Sequence, residues 1–170
     1  INKYGCEVIG FKKGYAGLYA NDYMELTVEN TEKILNQGGT ILRNSNKDNL
    51  FNYAYRDENG NIKHKDVSDV AVENLKKLNI DALVVIGGDG TLTGARVLAQ
   101  EFNIPIVGLP GTIDNDLYGT DVTIGYDTAL NTIMECVDKI RGTATSHERL
   151  FFIEVMGRDA GFLALNGAIA

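Results

Sequence analysis

The sequence predicts an α/β fold built on a doubly wound, mostly parallel sheet, and three observations predict it. Residues 82–86 (ALVVI) form a short, β-branched, wholly apolar run, the pattern of a strand buried on both faces. The run stops at Gly87-Gly88-Asp89-Gly90-Thr91 and gives way to 92–101, which reads as a helix. A second apolar run, 104–109 (IPIVGL), follows and ends in the polar loop PGTIDND, 110–116. Strands alternating with helices give parallel β-α-β units with right-handed crossovers.

In chain order, 6–11 (CEVIGF) alternates as a strand does, and 12–19 (KKGYAGLY) reads as a glycine-punctuated loop. Residues 24–26 form a short strand candidate, 28–36 a helix closed by Gly38-Gly39, and 40–42 a further short strand. The stretch 43–65 is polar and irregular, with a turn at Asn59-Gly60-Asn61. Residues 66–78 have helical spacing and lead into the central strand. Beyond the second strand, 120–124 is extended, 126–140 is a long amphipathic helix, 141–148 is polar, 150–155 (LFFIEV) is a strand, and a last helix follows Asp159.

Composition narrows the function. The 170 residues carry 16 basic and 23 acidic side chains, a net charge of −7. That balance disfavours nucleic acid and anionic membrane as partners. No run reaches the roughly 18 apolar residues of a membrane span. There is no basic-apolar-small leader pattern. Cys6 and Cys136 share no motif and read as buried, reduced thiols of a cytoplasmic protein. His64 and His147 lack metal-ligand spacing. The chain starts at Ile1 without a methionine and ends inside a helical pattern, so it reads as a piece of a longer protein.

The chemistry lies in two loops. A glycine loop between a strand and a helix aims backbone N–H groups at an anion, usually a phosphate. An aspartate in that loop repels phosphate unless it holds a Mg²⁺ that bridges to it. Asp89 fits that role, and its competing role is a helix cap in an ordinary tight turn. PGTIDND lies at the C-terminal end of the next strand, where ligands sit in open parallel sheets. It adds Asp114 and Asp116, which also suit plain turn chemistry. A phosphate cradle, a metal-holding carboxylate and a carboxylate that takes a hydroxyl proton are the parts of phosphoryl transfer. Arg149 and Arg158 flank the 150–155 strand, with Arg141 upstream. Arginine binds phosphate bidentately and stays charged, although surface arginines are common. Tyr15 either covers a base or packs.

GYAGLY (14–19), GGT (38–40), VENLKKLNIDALVVIGGDGTLTGA (72–95), VGLPGTIDNDLYGTDVTIGYDTAL (107–130) and SHERLFFIEVMGR (146–158) together resemble the 6-phosphofructokinase family. The resemblance spans nearly the whole sequence and about half of a family chain. It implies a Rossmann-like ATP/Mg-binding domain over 1–125 and the start of an α/β sugar-phosphate domain over 126–170. It implies phosphorylation of fructose 6-phosphate at the 1-hydroxyl with Mg²⁺ and ATP as cofactors. Asp114 is then the catalytic base and Asp89 the metal ligand. Gly88, Asp89, Gly90 and Thr91 cradle the ATP phosphates, with Lys47 and Tyr15 as further ATP contacts. Thr112, Ile113, Asp114, Asp116, Met156, Gly157 and Arg158 bind the sugar phosphate. Arg149 reaches a neighbouring subunit's site, which implies a homo-oligomer, with a homotetramer favoured. Arg141 matches an effector position.

Two departures stand out. Where bacterial relatives carry an Arg-Phe pair contacting ATP, this chain has Asn46-Lys47 inside a longer insert, so Lys47 offers a point charge without bidentate geometry. Residues 28–33 (VENTEK) differ from the regulated bacterial pattern, so control by ADP or phosphoenolpyruvate is not implied. Pyrophosphate-using relatives typically carry aspartate at position 90 and lysine at 111; glycine at both is the ATP-type choice. The competing functions are a pyrophosphate-dependent enzyme of the same fold, a non-catalytic regulatory subunit, and a different GGDGT kinase acting on a dinucleotide or lipid.

Overall fold

The computed structural model describes residues 4–45 and 47–170; Asn46, half of the Asn46-Lys47 departure, lies outside them. The chain divides into two compact units. The first holds the residues up to Ala82 together with Val97–Pro105, and the second holds Leu83–Arg96 together with Ile106–Ala170.

In the first unit, β1 (Ile9–Phe11) pairs antiparallel with β2 (Tyr23–Glu25) around α1 (Tyr15–Ala20). The glycines of 12–19 predict a loop there, yet a helix forms. Its last carbonyls find a donor: the buried Asn74 amide gives hydrogen bonds to Leu18 O at 2.9 Å and Tyr19 O at 3.0 Å. Such a cap on otherwise orphaned carbonyls supports a short helix that propensity disfavours. The predicted helix 28–36 shrinks to α2 (Val28–Thr31). Thr27 and Asn30 form a reciprocal capping box at its start. Beyond Glu32 the backbone bonds turn to i→i+3, Ile34 N–H to Thr31 O and Gln37 N–H to Ile34 O. The predicted strand at 40–42 is a turn instead, with Arg43 N–H bonded to Thr40 O.

The 43–65 stretch is not irregular throughout. A 3₁₀ turn (Leu50–Asn52) leads into the antiparallel hairpin of β3 (Tyr53–Arg56) and β4 (Ile62–Lys65). Lys65 Nζ lies 5.1 Å from the centre of the Tyr55 ring and 5.9 Å from that of Tyr19. The predicted Asn59-Gly60 turn is present, with Gly60 N–H bonded to Asp57 O at 2.9 Å. Helix α3 (Ser68–Lys77) starts under Asp66, whose carboxylate accepts from Ser68 N–H and Oγ–H. Leu18, Leu50, Val67, Ala71, Val72, Leu75 and Leu98 are the buried apolar residues of this unit.

In the second unit, β5 (Leu83–Gly87) pairs in parallel with β6 (Ile106–Pro110), and α4 (Asp89–Phe102) connects them. α4 contributes residues 89–96 to this unit. The fold class is therefore α/β, with a parallel pair in the second unit and two antiparallel pairs in the first. The central strand is not buried on both faces. Leu92 of α4 covers the Val85–Gly108 face, where a Cβ on Gly108 would lie 3.0 Å from Leu92 Cδ2. On the other face Val84, Ile86 and Val107 are 67%, 62% and 59% exposed.

α5 (Tyr126–His147) runs a further two turns past its predicted end, so Arg141 stands on an exposed helix face rather than in a loop. It packs with α6 (Phe162–Ile169) through the Tyr126 hydroxyl, which accepts from Asn166 Nδ2 at 2.6 Å. The predicted strand 150–155 does not form. A strand needs a lateral backbone partner, and among the described residues none pairs with this segment. Leu150 and Phe152 stay 81% and 93% exposed. Cys6 and Cys136 are free but exposed, not buried as expected. Cys6 precedes β1, and Cys136 lies on a helix whose buried residues are confined to its start.

Candidate functional site

The glycine loop is shorter than the sequence implies. Strand β5 runs through Gly87, Gly88 is a bend, and α4 already begins at Asp89 rather than at Leu92. The first backbone bond of the helix joins Leu92 N–H to Gly88 O at 3.0 Å. The amides before Leu92 therefore lie ahead of the intrahelical ladder, where a helix leaves donors for caps or ligands. Tight packing shapes this corner. A Cβ on Gly87 would meet the Thr91 side chain at 2.7 Å, so Thr91 folds back over the strand end and only glycine fits below it. Gly90 has no neighbouring atom within 4 Å of its would-be Cβ and is exposed.

The second loop is bound directly to the first. Gly111 N–H donates to Gly87 O at 3.1 Å and extends the parallel pairing past Pro110. A Cβ on Gly88 would lie 3.6 Å from Thr112 Cβ, ordinary van der Waals contact. GGDGT and PGTIDND are thus side by side at the C-terminal ends of adjacent parallel strands. On the far side, Ile124 N–H donates to Pro110 O at 2.8 Å, and Gly111 and Ile124 form an isolated parallel bridge.

Within PGTIDND, the Thr112 hydroxyl accepts from Asp114 N–H at 3.2 Å. Ile113 packs toward the start of α5, its Cγ2 lying 3.5 Å from where a Cβ on Gly125 would be. Asp114 is half-buried, whereas Asp116 and Asp89 are exposed. No ion pair engages Asp89, Asp114 or Asp116 among the described residues. Nor do those residues contain a cluster of three or more candidate metal ligands. Asp89, exposed at the start of α4, is an oxygen donor of the kind Mg²⁺ takes, with waters and substrate phosphates completing its shell.

A cavity of about 400 Å³ opens beside this corner, lined by Asp89, Leu92, Thr93 and Arg96 of α4, Pro110, and Leu117–Thr120. Positions 89, 92, 93 and 96 share one helix face, so the spacing was visible in the sequence; nothing there marked that face as facing a cavity. The structure also adds Asn115 and Thr123. Asn115 Oδ1 accepts from Thr123 N–H at 2.8 Å and Thr123 Oγ at 3.2 Å. The only hint in the sequence was an asparagine in a turn.

Met156, Gly157 and Arg158 belong to the second unit, and a turn starts at Gly157, whose carbonyl accepts from Ala160 N–H at 3.2 Å. Gly157 is buried at φ 143° against Leu163 of α6, and Arg158 sits at φ 54° with its side chain exposed. Arg149 is exposed just past the end of α5. Among the described residues, no hydrogen bond links Arg149 or Arg158 to either loop. Tyr15 and Lys47 lie in the first unit. Tyr15 is half-buried, and burial pushes its phenol up to about 12. Lys47 is exposed.

The family model described as phosphofructokinase matches residues 1–170. The chain is 57% identical over 170 residues to ATP-dependent 6-phosphofructokinase 2 of Clostridium perfringens, covering 100% of this chain and 46% of that protein. Its structure resembles that of Pichia pastoris phosphofructokinase in the T-state, with a TM-score of 0.80, 39% identity, and coverage of 98% of this chain and 18% of that one. It also resembles the pyrophosphate-dependent phosphofructokinase of Marinobacter aquaeolei, with a TM-score of 0.70, 20% identity, and coverage of 96% and 40%. At that identity the second structural likeness speaks to the fold alone. The chain spans about half the length of the curated relatives it matches.

Proposed function

The chain belongs to the phosphofructokinase family, and from that membership we propose that the full protein transfers the γ-phosphoryl group of Mg-ATP to the 1-hydroxyl of fructose 6-phosphate. The products are fructose 1,6-bisphosphate and ADP. The observation that carries the proposal is the junction of the two loops. Gly111 N–H bonds to Gly87 O, and Gly88 rests against Thr112. A donor on the glycine corner and an acceptor on PGTIDND then meet at one sheet edge.

In this proposal Asp114 accepts the proton of the 1-hydroxyl as its oxygen attacks the γ-phosphorus. Phosphoryl transfer needs little covalent help, so positioning and charge do most of the work. The amides of Gly88, Asp89, Gly90 and Thr91 cradle the donor phosphates. Asp89 would hold the Mg²⁺, which would supply charge neutralisation at the transferred group. Thr112, Ile113 and Asp116 line the sugar, and Met156, Gly157, Arg158 and Arg149 take its 6-phosphate. Tyr15 and Lys47 belong to the nucleotide side, and Arg141 to an effector. Residues 1–125 act as the nucleotide part and 126–170 as the beginning of the sugar-phosphate part. A cytoplasmic homo-oligomer, in which Arg149 serves a neighbouring subunit, completes the proposal. No helix among the described residues is long and apolar enough to cross a membrane.

The test is a coupled assay of the full-length protein with fructose 6-phosphate, Mg²⁺ and either ATP or pyrophosphate. Turnover with ATP and little with pyrophosphate is expected. A preference for pyrophosphate would overturn the donor and leave the sugar site standing; no turnover with either would overturn the enzyme.

A further inference from the structure

We propose that Asn115 is a positioning residue for the reaction, fixing Asp114 by clamping the PGTIDND loop to the buried Thr123; this rests on the proposed role of Asp114. Three hydrogen bonds meet at this one side chain. Its Oδ1 accepts from Thr123 N–H at 2.8 Å and from Thr123 Oγ at 3.2 Å. Its Nδ2 donates to Asp121 O at 3.4 Å. Both ends of the amide are used, so its orientation is fixed by its partners. Thr123 is 2% exposed, and Ile124, the next residue, is bonded to Pro110 O at the root of the same loop. The loop is therefore tied at its base and at Asn115, with Asp114 held between the two ties.

The backbone adds a constraint. Asn115 sits at φ 52°, a left-handed conformation that asparagine tolerates better than most side chains. Asparagine meets both demands, the backbone turn and the acceptor. Aspartate would also accept, but it would put a third carboxylate between Asp114 and Asp116 at the place where an anionic substrate docks. Glycine would allow the backbone and lose the clamp.

That last contrast is the experiment, made in the full-length enzyme. Asn115→Gly keeps the backbone turn and removes the acceptor. It should lower kcat by roughly 10–100-fold, the cost of misplacing a reacting group by about 1 Å, while the KM values for ATP and fructose 6-phosphate change by less than about 3-fold. Thr123→Val should lower kcat in the same direction, and Thr123→Ser, which keeps the hydroxyl, should restore it. In an Asp114→Asn background, Asn115→Gly should have almost no further effect on kcat, because it acts through Asp114. If Asp114→Asn is harmful and Asn115→Gly is either harmless or fully multiplicative with it, the clamp is refuted while the enzyme assignment stands. If Asp114→Asn leaves kcat intact, the assignment of the base fails first. Thermal unfolding of each variant identifies loss of fold: a kcat loss that tracks a large fall in Tm, with KM rising too, also refutes positioning.

Discussion

Replacing Gly111 by lysine should fail for a reason of packing before it tests any donor. An ideal Cβ at 111 would lie 2.7 Å from Ile86 Cγ2, 3.4 Å from Gly87 N and 3.8 Å from Gly87 Cα. Apolar carbons sit at about 3.5–4.0 Å, so the shortfall is on the order of 1 Å. The Gly87 side cannot yield, because Gly87 O holds Gly111 N–H and Gly87 is in register with Pro110. The strain falls on Ile86, a β-branched side chain with a stiff χ1. Overpacking of this kind costs about 1–3 kcal/mol, and each kcal/mol lowers Tm by roughly 2–4 °C in a domain of this size. Ile86→Ala removes the Cγ2 that the new Cβ would meet, so it should restore most of the lost Tm in Gly111→Lys. Gly90→Asp is the opposite case. Its Cβ meets nothing within 4 Å, and a carboxylate in the first turn of α4 favours the helix, so Tm should hold. Its effect is on the donor: one more carboxylate roughly 5 Å from a phosphate charge, at an effective dielectric constant of about 20, costs ~3 kcal/mol, or about 10²-fold in kcat/KM for ATP. Tm by scanning fluorimetry and kcat/KM with ATP and pyrophosphate, measured on the single, double and triple variants, separate the two effects. A Gly111→Lys protein as stable as the parent with Ile86 intact would refute the packing argument. Undiminished ATP use by Gly90→Asp would refute the electrostatic one.

Three other outcomes are expected. Asp114→Asn should lower kcat by roughly 10²–10⁴-fold, the usual worth of a positioned base, with substrate binding by calorimetry nearly unchanged; near-parental turnover would remove Asp114 from its role. Arg158→Ala should raise KM for fructose 6-phosphate by about 10–150-fold, the worth of a charge-assisted hydrogen bond at 1.5–3 kcal/mol, and leave KM for ATP alone; the reverse pattern would move Arg158 to the nucleotide side. In the hairpin, the Lys63 ammonium at 3.1 Å and then the Asn61 and Asn59 amides hold the Asp57 carboxyl below its ordinary 3.8. A depressed folded value means the contribution is present above pH 3.8 and lost as pH falls through the lower folded value. An NMR titration of Asp57 should therefore rise toward 3.8 in Lys63→Ala, and an unmoved midpoint would contradict the assigned cause.

What the sequence made legible follows the range of the interactions involved. The β5–α4–β6 unit was readable because each part is signalled locally: an apolar run, a glycine corner, helical spacing, a second apolar run. Even there the helix start was misplaced by three residues, since Gly90 and Thr91 look like loop and the first turn of a helix tolerates them. α1 was missed because its support is distant. Asn74, 55 and 56 residues from the carbonyls it caps, has no local sign. The hairpin of β3 and β4 was hidden by its charge, because cross-strand pairs such as Tyr55 with Lys63 carry no apolar alternation to count.

The segment 150–155 makes the same point in reverse. LFFIEV has strong strand composition, yet Leu150 and Phe152 are exposed and no described strand pairs with it. Composition expresses a preference for a pleated, half-buried surface; whether a strand exists depends on a partner's free edge. The candidate site divides the same way. Gly87, Gly88, Gly111 and Thr112 are adjacent because two neighbouring strands end at the same level, and the order of elements foretold that. Asn115 clamps Asp114 only because the chain returns at Thr123 and Ile124 to bond the root of the loop, a closure of eight residues that no motif marks.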